Sequence, residues 1–241
     1  MKHLERFLAG VFCISILVVL VISAVEIAVY ADSGYFRKEF TKYNVNNPKG
    51  IVNMDMDELV WVSSEMMDYL RGDRDNLDIV ATIDGQQKEF FDVREKSHMA
   101  DVRDLFVGAL KVRWCAAAMA VISIISLFLL LYWKDIKVLL FRAYLATVGG
   151  LLLLIGALGI WAFVDFTGAF YKFHALFFSD YEWILDNDTS RLINILPEGF
   201  FVDTAIRIVV IFILFILIMG GLLLLVKKVK QTKQNLGGTY E

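Results

Sequence analysis

Four apolar runs govern what this chain can fold into. Phe7–Tyr30, Trp114–Trp133, Phe141–Val164 and Ala205–Val226 are each about 20 residues or longer, enough for a helix to cross the roughly 30 Å hydrocarbon layer of a bilayer. A helix satisfies its own backbone groups in lipid, so four spanning helices account for all four runs. The competing arrangement, four buried helices of a water-soluble protein, fits poorly. The chain is 58% hydrophobic with a mean hydropathy of +0.59, well above a globular domain. The first run also has the basic start of a signal peptide (Lys2, Arg6), with Val29-Tyr30-Ala31 as a cleavage-like motif. Its apolar stretch exceeds the roughly 7–15 residues of a signal core, so an uncleaved anchor is expected. Cys13 follows bulky Phe12, where a lipidated cysteine has a small residue.

Basic residues near helix ends set the orientation. Lys2 and Arg6, then Lys134, Lys137 and Arg142, then Lys227, Lys228, Lys230 and Lys233 mark one side. The other side carries Ala31–Arg113 and the acidic loop Asp165–Asp203. Both termini are therefore expected in the cytoplasm and both large loops outside. Cys13 and Cys115, the two cysteines, would lie at different depths, too far apart to bridge.

The expected architecture is an all-α membrane protein of four transmembrane helices. A small extracellular α+β domain separates spans one and two, and an interfacial helical loop separates spans three and four. In residue terms, the first span lies within 1–30, the outer domain is 31–113, and the second span is 114–133. A cytoplasmic loop (134–140), the third span (141–165), the interfacial loop (166–203), the fourth span (204–226) and a cytoplasmic tail (227–241) follow.

Within the outer domain, Asn44–Gly50 reads as a loop. Met56, Leu59, Val60, Ser63, Met67 and Leu70 recur at helical spacing before Gly72, predicting an amphipathic helix over Asp55–Arg71. Leu77–Ile83 and Gln86–Phe91 flank Asp84-Gly85, a strong hairpin signal. Ser97 is a candidate cap for a helix that meets no breaker before the second span. The third span carries Gly149, Gly150, Gly156 and Gly159, small residues of the kind that let helices approach in lipid. In the second loop, Phe170, Tyr171, Phe173, Phe177 and Phe178 surround a short helix suited to the headgroup level, with Trp183 as a nearby anchor. Leu192–Leu196 is a second short helix stopped by Pro197-Glu198-Gly199. Phe200-Phe201 then re-enter the bilayer and Asp203 caps the last span.

The chemistry-bearing residues are His98 and His174. They lie on different loops of one side, and two interfacial histidines can serve as general base and general acid near neutral pH. Each can equally be a structural hydrogen-bonder. Asp101 follows His98 by three residues and shares its helix face. His174 sits in an aromatic patch, where an idle polar group is costly. Glu26, about one turn from the outer end of the first span, either faces a cavity or reaches the interface. A metal centre needs three or four ligands. His98, His174, Asp101 and Asp180 are available, but their spacing matches no metal motif. Ser97 and Ser179 are near, but no Gly-x-Ser-x-Gly elbow is present. There is no phosphate-binding glycine-rich loop and no basic aromatic surface for nucleic acid.

Arg94-Glu95, His98-Met99-Ala100-Asp101-Val102, Phe173-His174-Ala175-Leu176-Phe177-Phe178, Trp183-Ile184-Leu185-Asp186 and Leu192–Phe201 together resemble the Lit family. These are lipoprotein intramolecular transacylases, integral-membrane proteins of Gram-positive bacteria. The likeness covers almost the whole chain. It departs at Asp180-Tyr181-Glu182-Trp183, where the family pattern has an Asn-Asp pair one residue before the tryptophan. The resemblance implies that the sn-2 acyl chain of a diacylglyceryl group moves to the α-amino group of a lipoprotein's N-terminal cysteine. It implies a diacylglyceryl-lipoprotein substrate, membrane lipid, no cofactor and a monomer. His98 and His174 would share the proton transfers, with Asp101, Glu26, Asp180 and Trp183 as supporting candidates. Two rival readings are a metal-dependent membrane hydrolase and a non-enzymatic tetraspan protein whose outer domain binds a partner.

Overall fold

The computed structural model describes residues 2–47, 49–178 and 181–237. The elements in chain order are α1 (Lys2–Tyr30), α2 (Tyr35–Lys42), α3 (Met56–Arg71), β1 (Val80–Ile83), β2 (Gln86–Glu89), α4 (Val93–Leu130), α5 (Trp133–Val164), α6 (Phe166–Phe177), α7 (Arg191–Ile195) and α8 (Glu198–Gly237). Among the described residues, four helices are long and apolar enough to cross a membrane: Lys2–Tyr30, Val93–Leu130, Asp135–Val164 and Glu198–Leu224. The chain is a multi-pass membrane protein, and its regular elements among the described residues are helices apart from one two-stranded sheet.

Two compact units divide the chain. One is made of Met1–Ala24, Val112–Trp161 and Val209–Glu241. Its packed centre is small: Ala9, Leu127, Ile136 and Leu140. Tyr144 donates its hydroxyl proton to the Ile216 carbonyl. Buried Cys13 points its thiol at the Leu140 carbonyl, and Cys115 is exposed; both are free thiols. Only 6% of the apolar window of α5 is buried, against 28% for α1, so lipid rather than protein covers most of α5. The glycines of α5 differ from expectation: a Cβ at Gly149, Gly150, Gly156 or Gly159 would meet open space. They mediate no close helix contact within the described chain. Gly150 instead lines an apolar groove of about 420 Å³ that also borders Leu17, Val21 and Leu154.

The other unit, Val25–Lys111 with Ala162–Ile208, has a substantial core. Phe40, Leu59, Met66, Ile79, Ile83, Phe90, Phe91 and Ile195 are almost fully buried in it. Helix α3 forms as its sequence predicts. Asp55 caps it by accepting from the Asp57 and Glu58 N–H groups, and Gly72 closes it at φ 87°. Its inward stripe is Leu59, Val62, Ser63, Met66, Met67, Tyr69 and Leu70. Strands β1 and β2 pair antiparallel in the register Val80↔Glu89 to Ile83↔Gln86. The hairpin turns at Asp84 (φ 52°) and Gly85 (φ 73°), the positive-φ pair of a type I′ turn. Phe90 N–H donates to Ile79 C=O. Since ladder bonds alternate, Thr82 and Glu89 turn their backbones outward. Each outward edge meets a side chain: Thr82 N–H donates to Glu58 Oε1 at 2.8 Å, and Arg191 donates to the Glu89 carbonyl at 2.9 Å.

Three helix starts lie elsewhere than the sequence suggests. Helix α4 begins at Val93, not at Ser97. Asp92 and Glu95 cap it reciprocally: Glu95 N–H donates to Asp92 Oδ1 and Asp92 N–H to Glu95 Oε2, both at 2.8 Å, which is a capping box with aspartate as the cap. Helix α2 arises where no helix was expected. Helix α8 begins at Glu198, directly after Pro197, where proline's missing N–H costs nothing. Asp203 is therefore inside α8 rather than its cap, and its carboxylate accepts from Lys42 and from Tyr43 Oη of α2. Phe200, expected in the bilayer, is buried against Tyr35 and Phe36, with ring centroids 5.7 Å away in each case.

Candidate active site

Helix α6 supplies one half of the site. Asp165 caps it by accepting from Gly168 N–H. Along its length Tyr171, Phe173, Leu176 and Phe177 are exposed, while His174 alone is buried. The aromatic residues thus occupy the outer faces and the single polar ring turns inward. His174 Nδ1 lies 2.8 Å from the carbonyl of Phe170, one turn back. A carbonyl accepts only, so Nδ1 carries the proton and Nε2 of the neutral ring keeps its lone pair.

The surroundings of His174 are aromatic. Ring centroids lie at 4.0 Å for Phe170, 5.0 Å for Trp183, and 5.5 Å for both Phe173 and Phe178. Burial holds the imidazole below its ordinary pKa, and the bond to the Phe170 carbonyl opposes that only in part. The neutral form therefore prevails near neutral pH.

Helix α4 supplies the other half. His98, also buried, stands one turn after Glu95. Its ring centroid is 5.9 Å from that of His174, with the planes tilted by 39°. Phe178 packs edge-on to His98 at 5.2 Å and so touches both imidazoles. The two histidines that the sequence placed on separate loops share one aromatic enclosure.

The supporting candidates fare differently. Trp183 packs against His174 with its ring tilted by 32° and meets Tyr171 edge-on at 5.2 Å, so it is a wall of the site. Asp101 is half-buried on α4, one turn beyond His98. Glu26 is half-buried in the last turns of α1. Asp180, like Ser179, lies outside the described residues. Among the described residues, no three His, Cys, Asp or Glu side chains come together as metal ligands do.

Arg94 and Glu95, which the sequence offered only as part of a motif and with no role, join the first turn of α4 to the segment between α6 and α7. Glu95 is 1% exposed, and its Oε1 accepts from Ser190 Oγ at 2.6 Å and from Leu192 N–H at 2.8 Å. Arg94 donates to the Tyr181 carbonyl at 2.8 Å and pairs with Glu182 at 3.5 Å. The spacing Asp92-x-x-Glu95 was the available signal for Glu95.

The model of the lipoprotein intramolecular transacylase family, Lit, matches residues 10–201. Among curated proteins none matches this chain. Solved structures of the membrane-integral lipoprotein intramolecular transacylase Lit from Bacillus cereus share the fold. One aligns with a TM-score of 0.67 at 22% identity, covering 98% of this chain and 100% of that one. Two others, carrying a histidine replaced by arginine or by alanine, align with TM-scores of 0.71 at 22% and 21% identity. The arginine variant covers 96% of each chain, and the alanine variant 96% of this chain and 97% of its own. By the extent of the family match, this chain belongs to the lipoprotein intramolecular transacylases, Lit, a family of integral-membrane acyltransferases.

Proposed function

We propose that this acyltransferase moves the sn-2 acyl chain of a lipoprotein's diacylglyceryl group to the α-amino group of the same molecule's N-terminal cysteine. The product is the lyso-form lipoprotein. Such a substrate brings its own nucleophile, which suits a site whose nearest polar groups are two imidazoles. In the proposed reaction His174 is the base and His98 the acid. The observation that carries this is the 2.8 Å contact between His174 Nδ1 and the Phe170 carbonyl. It leaves Nε2 as the basic atom, and burial keeps that atom unprotonated.

The deprotonated amine attacks the sn-2 ester carbonyl, and Nε2 of His174 takes the proton that the nitrogen sheds. As the new C–N bond holds, the ester C–O bond breaks and His98 delivers a proton to the departing glyceryl oxygen. The net result is one amide formed, one ester lost and one hydroxyl freed. Both reacting groups belong to one molecule, so the enclosure contributes mainly by orienting them. Aromatic walls exclude water that would hydrolyse the ester. Asp101, Glu26 and Asp180 are supporting candidates in this reading, and Trp183 is a wall that fixes the plane of His174.

In this reading both termini are cytoplasmic, the histidines act at the extracellular face among lipid headgroups, and the chain works as a monomer without cofactor. The test is mass spectrometry of a lipoprotein's N-terminal peptide from a host that makes only diacylglyceryl lipoproteins and expresses this chain. A species of unchanged mass, with one acyl group moved from glycerol to nitrogen, is expected. It should vanish with His98→Ala and with His174→Ala while both variants remain folded in the membrane. An unmodified peptide with wild-type protein present would overturn the reading.

A further inference from the structure

Two consecutive residues, Arg94 and Glu95, join the first turn of α4 to the loop that follows His174. Arg94 holds the Tyr181 carbonyl and the Glu182 carboxylate. Glu95 reaches further along the same loop, to Ser190 Oγ and the Leu192 N–H that opens α7. Between these two anchor points lies Trp183, its ring packed at a tilt against His174. At the near end of the loop is Phe178, in contact with both imidazoles. The geometry of the pair thus depends on how this loop is seated against α4.

Glu95 is the centre of that seating. Its Oε2 is taken by the Asp92 N–H of its own helix start, and its Oε1 by the two donors from the loop. It is 1% exposed, and a buried carboxylate is tolerated only when its lone pairs are so occupied. His98 follows three residues later, about one helical turn along. A single rigid carboxylate therefore couples the turn bearing His98 to the segment returning from His174.

We propose that Glu95 is a positioning residue for the histidine pair: its carboxylate sets the α4 turn of His98 in register with the loop that returns from His174. Glu95 touches neither reacting group, and its effect passes through the two rings. The proposal rests on the reading of His98 and His174 as the acid–base pair. Glu95→Gln keeps the size and one acceptor oxygen. Its amide NH₂ then faces either the Asp92 N–H or the Ser190 and Leu192 donors, so one side of the junction is lost. Displacements of about 1 Å between reacting groups cost up to roughly 100-fold in rate.

The test uses the full chain in lipid nanodiscs with a synthetic diacylglyceryl lipopeptide, and scores rate per folded molecule. Glu95→Gln is expected to lower the saturating rate by about 10- to 100-fold with KM little changed, because the substrate still binds. A purely structural role would lower the thermal midpoint and yield but leave the saturating rate of the folded molecules at the wild-type value, and that result overturns the proposal. Should Glu95→Gln not fold, Ser190→Ala decides. It leaves the Asp92–Glu95 cap intact and is expected to lose at least about threefold in rate, a smaller displacement of the same kind; an unchanged rate overturns the proposal. His98→Ala and His174→Ala are run alongside. Activity in either points to failure of the acid–base reading, separately from failure of the positioning role.

Discussion

At the scale of single residues, the proposed reaction turns on His174, because its protonation is set by where it sits. Burial lowers its pKa from the ordinary 6.5, and the proposed base works only when unprotonated. The acid limb of the pH–rate profile is therefore expected below the ordinary histidine value, and measuring the saturating rate against pH checks it. The same shift has a sign for stability. In the unfolded chain the ring titrates at its ordinary value, so the unfolded state binds more protons just below it. Stability is then full above that pH and falls as pH drops toward the folded pKa. The thermal midpoint of the wild type should fall more between neutral pH and about pH 5 than that of His174→Gln, which has no such group. Phe178 is the other residue with a large expected effect. Removing its buried ring is expected to cost about 3–5 kcal/mol and to slow the reaction, since both imidazoles lean on it. A chemical denaturation curve beside a rate measurement separates the two losses.

At the scale of elements, Gly199 in the first turn of α8 sets two rules against each other. Alanine is the better helix former by up to about 1 kcal/mol. Yet a Cβ at Gly199 would clash with the outer edge of the Tyr43 ring and its hydroxyl, which donates to Asp203. Overpacking of this kind costs about 1–3 kcal/mol, so Gly199→Ala should destabilise the protein. In a Tyr43→Ala background the same change should turn neutral or stabilising, and thermal midpoints of the four variants decide. This junction also marks where the sequence stops being legible. The long apolar runs, the Asp55 cap, the Gly72 stop and the Asp84-Gly85 turn are local signals read over a few neighbours, and each element formed. The place of Asp203 inside α8 is tied to Tyr43, at the end of α2 and 160 positions away in the chain. No local pattern announces such a contact. The two histidines could be singled out because the chain has only three and both lie outside its apolar runs. Glu95 entered only as part of the Arg94-Glu95 resemblance, with no role, because a carboxylate beside Arg94 and Lys96 looks like part of a solvated face, and only the incoming donors of Ser190 and Leu192 bury it.

At the scale of the whole molecule, positions facing outward and positions packed against protein answer mutation differently. Most of the α5 surface has lipid as its neighbour, and lipid is as apolar as leucine. Leu153, 77% exposed, is expected to tolerate alanine with a change within about 0.5 kcal/mol, as surface positions do. Arginine there should cost about 3 kcal/mol through poorer insertion. Leu127, fully buried among Ala9, Ile136 and Leu140, should lose about 2–5 kcal/mol as alanine. Folding assays in bilayers with these three variants test the contrast. The two-stranded ribbon has a consequence of another kind. An open sheet edge invites a passing strand to extend it, and that is a route to aggregation. Here Glu58 interrupts one edge at Thr82 and Arg191 interrupts the other at Glu89. A ribbon interrupted at both edges offers a passing strand no continuous row of backbone partners, so strand addition is opposed from either side.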